Sequence, residues 1–186
     1  MSLDLLRAME FAVKAHGAQT RKGSTTPYVL HPVRVAHEAA GQYPIAPEAF
    51  VIAALLHDVV EDTSRTLAEI EGAFGPLVAQ WVGEVTNQFT KEAYPDWNRA
   101  KRKACEIARL SRVSREAQIL KMLDRLDNLN DLEGMDPGFV RTYVEESRQL
   151  AEALWHGDPG LGATLRNACE AALDRLGQTD SVSSPA

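Results

Sequence analysis

The stretch LLHDVVEDT, residues 55–63, sets one histidine and three carboxylates into an otherwise apolar run. Burying such groups is costly unless they are paired or bind a metal. A helix turns about 100° per residue, so with His57 at zero, Glu61 falls near about 40°, Asp58 near 100° and Asp62 near 140°. Ile52, Leu55, Leu56, Val59 and Val60 take the remaining surface. The spacing predicts one helix, opened by Pro47, with its polar groups on one face and its aliphatic groups on the other. An acidic stripe on a solvated helix would share this pattern. However, three carboxylates with no lysine four residues on repel one another, which wastes stability on an ordinary surface. A neighbouring imidazole and carboxylate suit Mn, Fe or Zn. His57 and Asp58 thus supply half of a site.

The other half has two sources in the chain. PYVLHPVRVA, residues 27–36, places His31 at a loop-to-helix junction. ILKMLDRLDNLNDL, residues 119–132, carries leucines at 120, 123, 126 and 129. Its other face presents Lys121, Asp124, Asn128 and Asp131 at steps of three and four residues. Each block alone is weak, because a histidine near a helix start is usually a cap and an Asp–Asn pair is usually surface.

The rest of the chain reads as helical throughout, giving an all-α fold. Ser2 caps a first helix with Leu5, Leu6, Met9, Ala12 and Val13 at helical spacing. The polar loop QTRKGSTTPY follows, and then a short helix from about His31–Pro32 with Gly41 as its C′ residue. Thr66 and Glu69 have capping-box spacing, and Gly75–Pro76 interrupts that helix before another from Leu77 to Thr86. NQFTKEAYPD is a loop whose Asp96 caps a basic helix to Leu110. Ser114 caps a helix through Glu133, closed by Gly134. Helices from Pro137 to Trp155 and from Leu161 to Leu176 complete a single domain over residues 1–177, and the tail 178–186 is expected to be disordered.

Composition narrows the function. With 186 residues, 45% of them hydrophobic and 25% charged, the chain has the make-up of one soluble globular domain. No apolar run is long enough to span a bilayer and no signal-peptide layout begins the chain, so no membrane role is expected. Cys105 and Cys169 are far apart and form no zinc-knuckle spacing, which points to a reducing cytoplasm. A net charge of −6 argues against sequence-independent nucleic-acid binding. It leaves room for a small phosphorylated ligand drawn by a metal and a few local cations.

Taken together, the order H…HD…D is the signature of the HD metal-dependent phosphohydrolase superfamily. AHGAQTRKGSTTPYVLHPVRVA, ALLHDVVEDT and KMLDRLDNL resemble, in order, the hydrolase domain of the RelA/SpoT family over residues 5–155. The absence of a synthetase or regulatory region makes the chain similar to a stand-alone small alarmone hydrolase. The resemblance implies an HD-type bundle of roughly eight to ten helices. It implies a stringent-response enzyme that hydrolyses the 3′-pyrophosphate of the guanine nucleotide (p)ppGpp to GDP or GTP and pyrophosphate. By that resemblance His31, His57, Asp58 and Asp124 hold Mn²⁺, and Glu61 and Asp62 manage the attacking water and the protons. Arg21 and Lys22 match the nucleotide-recognition loop, Asn128 a residue near the ribose or phosphate, and Arg102 and Lys103 an element near the pyrophosphate. His16 matches a supporting position.

The chain departs from the family's KLADRLHNM, with Met122 and Leu123 for the Leu-Ala pair and Asp127 for the His. Asp131 stands where many members have a small hydroxyl residue, and its charge is expected to disfavour a nearby phosphate. Two rival readings are an HD phosphohydrolase acting on another nucleotide and a silent nucleotide-binding regulatory module. RKGSTTPY before His31 favours the alarmone branch over the first, and the intact Glu61–Asp62 pair speaks against the second.

Overall fold

The computed structural model describes residues 2–42 and 47–182. Among them, ten helices form in the order α1 Leu3–His16, α2 Leu30–Gln42, α3 Glu48–Leu56, α4 Val59–Asp62 and α5 Leu67–Phe74. There follow α6 Pro76–Val85, α7 Arg99–Leu110, α8 Arg115–Asn130, α9 Pro137–Ala153 and α10 Pro159–Val182. The described residues contain no strand, only an isolated bridge between Thr20 and Pro27 that closes the basic loop.

Local signals set most of the boundaries. The Ser2 hydroxyl accepts from the Leu5 N–H at 3.1 Å and starts α1. Thr66 and Glu69 form the reciprocal capping box of α5. Gly75, at φ 88°, makes a turn that a β-carbon would strain, and Pro76 then opens α6.

Two helices form the axis of the bundle. On α3, Phe50 and Ile52 through Leu56 are all buried, against α1, α2 and α6. On α8, Ala117 through Arg125 are buried, and this helix packs on α2, α6, α9 and α10. A helix buried on every side cannot show a clean apolar stripe, so Lys121, Asp124, Arg125 and Asp127 of α8 face protein rather than water.

Several boundaries differ from the sequence reading. The helix expected to carry LLHDVVEDT in one piece stops at Leu56 and resumes at Val59. Nδ1 of His57 pairs with the Ala54 carbonyl at 2.8 Å, the acceptor that a continuing helix would give to residue 58. Gly41 lies inside α2 rather than past its end. Asn98, not Asp96, caps α7, its side chain accepting from the Lys101 N–H at 2.8 Å. The last helix runs past Leu176 to Val182, so residues 178–182 are helical where disorder was expected, because no proline interrupts the chain before Pro185. The remainder of that tail, 183–186, lies outside the described residues. No helix among the described residues is long and apolar enough to cross a membrane.

Candidate metal centre

Four side chains converge at the contact of α2, α3 and α8. His31 comes from the first turn of α2, His57 and Asp58 from the break between α3 and α4, and Asp124 from the middle of α8. They are 0, 1, 8 and 5% exposed. One donor atom from each lies within 4.8 Å of all the others. Nε2 of His31 is 3.1 Å from Oδ1 of Asp124 and 3.3 Å from Oδ2 of Asp58. Nε2 of His57 is 3.2 Å from Oδ2 of Asp58 and 3.6 Å from Oδ1 of Asp124.

These spacings suit a shared divalent ion. Ligand atoms held at about 2.1 Å from one metal lie roughly 3 to 4 Å from each other. The tautomers suit it as well. A backbone carbonyl only accepts, so Nδ1 of His57 must donate to Ala54, which in neutral imidazole leaves Nε2 a bare lone pair. That Nε2 is buried and makes no hydrogen bond, as a ligand atom would. The group therefore fits a divalent metal site, with two nitrogen and two oxygen donors.

Without an ion the four groups neutralise one another. Burial alone would lower the His31 pKa, but hydrogen bonds to Asp124, Asp127 and Asp58 outweigh it and push it up to about 11. His57 behaves likewise and rises to about 9, chiefly through the Asp58 charge. Burial opposes ionisation of Asp58 and Asp124, yet their cationic neighbours hold both well below the usual carboxylate range.

The sign of the pH dependence follows. A histidine whose pKa is raised on folding stabilises fully below its unfolded value of about 6.5. That stabilisation is lost as pH rises through about 9 for His57 and about 11 for His31. Chelator-treated protein is expected to melt at lower urea at pH 9.5 than at pH 6.5. Ion binding needs both Nε2 atoms bare and releases their protons, so affinity should rise up to about tenfold per pH unit for each proton displaced. Titration calorimetry with Mn²⁺ at pH 6.5 and 8.5 reads this directly, and a pH-independent affinity would contradict it.

A polar shell surrounds the centre. The Tyr28 hydroxyl is 2.7 Å from Oδ2 of Asp58 and 2.6 Å from Oδ2 of Asp62. Burial, with the charges of Asp58 and Glu61 added, raises the pKa of Asp62 against the Tyr28 hydrogen bond. Glu61 accepts from Asn87 through side-chain Nδ2 at 2.5 Å and backbone N–H at 3.1 Å. Buried Lys121 sits 3.0 Å from Oδ2 of Asp124.

Two cavities flank this arrangement. The larger, about 350 Å³, is lined by Glu61, Asp62, Phe89, Arg99, Arg102 and Lys103, among others. The smaller, about 170 Å³, has Arg21, Lys22, Tyr28, Asn128, Asp131 and Tyr143 in its wall. The sequence-predicted substrate residues therefore divide into two groups. Asn128 links the smaller cavity to the centre, donating to Oδ1 of Asp124 at 2.5 Å and accepting from Arg21 at 2.6 Å. Lys22 lies over the Phe139 ring at 4.5 Å. Arg102 donates to the Trp97 carbonyl, while burial and then the charges of Arg125 and Lys121 lower the Lys103 pKa.

The Asp131 carboxylate is paired, its Oδ2 accepting from Arg21 at 2.9 Å and from Arg34 at 2.8 Å. Sequence reasoning also passed over Tyr28 and Asn87, which carry no motif, and left Lys121 without a role on the polar face of α8. Tyr28 had a positional signal, three residues before His31.

Comparison with known proteins extends these observations. Residues 8–153 match the family described as HD domain. Human guanosine-3′,5′-bis(diphosphate) 3′-pyrophosphohydrolase MESH1 is 45% identical over 87 residues, 46% of this chain and 49% of that protein. The guanosine-3′,5′-bis(diphosphate) 3′-pyrophosphohydrolase of Aquifex aeolicus is 46% identical over 83 residues, 45% of this chain and 12% of that protein. The matched stretch thus spans about half the length of the human relative and less of the bacterial one. Among solved structures, a metazoan orthologue of SpoT that hydrolyses ppGpp superposes with a TM-score of 0.78 at 30% identity. That match covers 95% of this chain and 97% of the other. A Listeria monocytogenes protein, at TM-score 0.61 and 24% identity over 82% of this chain and 99% of its own, shares the fold.

Proposed function

The chain belongs to the HD-domain family, and from that premise we propose that it hydrolyses the 3′-pyrophosphate of (p)ppGpp, releasing pyrophosphate and GDP or GTP. The observation that carries this reading is the buried His31, His57, Asp58 and Asp124 group set between two cavities with the Glu61–Asp62 pair at its edge. The names and activities of the human, Aquifex and metazoan relatives support the choice of nucleotide.

In this proposal His31, His57, Asp58 and Asp124 are the ligands of a Mn²⁺ ion. When bound, such an ion polarises a phosphoryl oxygen and lowers the pKa of water. Arg21 and Lys22 hold the purine in the smaller cavity, with a guanidinium available to stack on the base. Asn128 meets the ribose side, and Arg102 and Lys103 meet the departing pyrophosphate in the larger cavity. Glu61, oriented by its two Asn87 hydrogen bonds, accepts a proton from the attacking water. The water oxygen bonds to the phosphorus attached at the 3′ position, and the 3′ oxygen–phosphorus bond breaks. Asp62 gives a proton to the 3′ oxygen, which leaves as a hydroxyl.

Residues 1–177 would form the catalytic domain, working in the cytoplasm to end alarmone signalling. The test is to incubate chelator-treated protein with ppGpp, with and without Mn²⁺, and identify the products. GDP and pyrophosphate in equal amounts, formed only with the ion, are expected. Release of orthophosphate, or turnover of other nucleotides in preference to ppGpp, would refute the assignment. Binding of ppGpp without hydrolysis would favour a silent regulatory module instead.

A further inference from the structure

Helices α2 and α8 meet along a ladder of opposite charges that extends beyond the four converging residues. His31 and Arg34 lie three residues apart on α2, and Asp124, Asp127 and Asp131 lie three and four apart on α8. Each spacing keeps its residues on one helix face, so the two rows interlock. Nδ1 of His31 contacts Oδ2 of Asp127 at 2.7 Å, in a buried pair. Arg34 grips both oxygens of the same carboxylate, from Nε to Oδ1 at 2.6 Å and from its second nitrogen to Oδ2 at 2.7 Å. That second nitrogen also reaches Oδ2 of Asp131 at 2.8 Å, and Arg21 donates to the same oxygen at 2.9 Å.

We infer that Asp127 is a positioning residue for His31, that Arg34 fixes Asp127, and that this pair sets how tightly the centre holds a divalent ion. The inference rests on the metal-centre reading above and goes beyond it to residues that would not touch the ion. When the ring gives up its Nε2 proton to an ion, Asp127 keeps the remaining proton on Nδ1, so the Nε2 lone pair of His31 is the one directed toward Asp58 and Asp124. A carboxylate at Nδ1 also makes the imidazole a stronger donor at Nε2. Without that acceptor, the proton is free to move to Nε2, where it blocks the ligand position. The two-point grip of Arg34 keeps the carboxylate plane fixed, which a single hydrogen bond would not do.

The pair replaces a histidine that the resemblance would place at 127, so this chain builds the support of His31 from α2 and α8 together. Arg34 is half-exposed, so removing the Asp127 charge leaves no buried arginine behind.

The experiment measures Mn²⁺ binding by titration calorimetry on the full chain, comparing wild type with Asp127→Asn, Arg34→Met and the double variant. Asp127→Asn keeps shape and an acceptor oxygen while removing charge, and is expected to weaken Mn²⁺ binding by about 10- to 100-fold. Arg34→Met should weaken it less, and the double variant no more than Asp127→Asn alone, because both act through one contact. At saturating Mn²⁺ the variants should regain kcat with KM for ppGpp unchanged, a split that a merely destabilised fold would not give. Circular dichroism melts of metal-free protein identify any variant whose loss is of folding.

Wild type that binds Mn²⁺ together with an Asp127→Asn variant within twofold of it overturns this inference alone. Wild type that binds no divalent ion overturns the metal-centre reading and the inference with it. Additive losses in the double variant overturn the role of Arg34.

Discussion

Replacing Asp124 by asparagine is expected to abolish Mn²⁺ binding and slow ppGpp hydrolysis by more than about a thousandfold, beyond the loss of one oxyanion donor. Its Oδ1 is the atom that both Nε2 atoms approach, 3.1 Å from His31 and 3.6 Å from His57. An amide there lacks the negative charge that a divalent ion draws from a carboxylate, and its NH2 group can turn a donor toward the ion's place. The same carboxylate holds buried Lys121 at 3.0 Å through Oδ2. Losing it strands that cation, which should cost about 3 kcal/mol or more of folding stability. Adding Lys121→Met to Asp124→Asn separates the two effects. The double variant should recover much of the melting temperature and none of the metal binding. Restored Mn²⁺ affinity in it would show that Asp124 is only a structural partner of Lys121. Asp58→Asn should match the loss of metal, and it has no buried lysine contact to complicate the melt.

The sequence made the all-α class and the four converging residues legible because both depend on local or ordered signals. Ser2, the Thr66–Glu69 box and Gly75–Pro76 act within one turn of chain, so their effect survives in any tertiary setting. The block order of His31, then His57–Asp58, then Asp124 is likewise a property of the string. The break after Leu56 was hidden, since residues 57 and 58 keep helical backbone angles and only a side chain on the Ala54 carbonyl interrupts the ladder. A two-faced helix was also the wrong picture of α3, in which Ile52 through Leu56 are all buried. Contacts across long separations were hidden for a different reason. Arg34 and Asp127 are 93 residues apart, and Tyr28 and Asp58 are 30 apart. Neither pair has a spacing to read, and each becomes visible only when helices bring charge against charge. Asp131 is a further case, since nothing in its spacing tells that Arg21 and Arg34 both hold its carboxylate.

Asp62→Asn should lower kcat by about 10²- to 10⁴-fold, the range for one proton-transferring group, while Mn²⁺ affinity stays within a few-fold of wild type. Three oxygens form a chain of short contacts, from Oδ2 of Asp58 through the Tyr28 hydroxyl to Oδ2 of Asp62, at 2.7 and 2.6 Å. The tyrosine has one proton and cannot serve both contacts, so the other short contact calls for a proton on a carboxyl. Asp58 faces two histidines that keep it ionised, whereas burial and nearby negative charge raise the pKa of Asp62. Of the two carboxyls, Asp62 is therefore the one that takes up a proton more readily, where an acid for the leaving 3′ oxygen is needed. Two carboxyl groups whose surroundings differ in this way divide acid and base roles between them. Glu61, exposed and held by Asn87, takes the base role, and Glu61→Gln should also lower kcat without releasing the metal. The two variants are told apart by pH and by substrate. Asp62→Asn should flatten the alkaline limb of the kcat profile, because that limb reports loss of the acid's proton. It should also be rescued by a 3′ leaving group that departs without protonation, and Glu61→Gln should not. An Asp62→Asn enzyme with wild-type kcat, or one that loses Mn²⁺ in step with activity, would remove Asp62 from the chemistry.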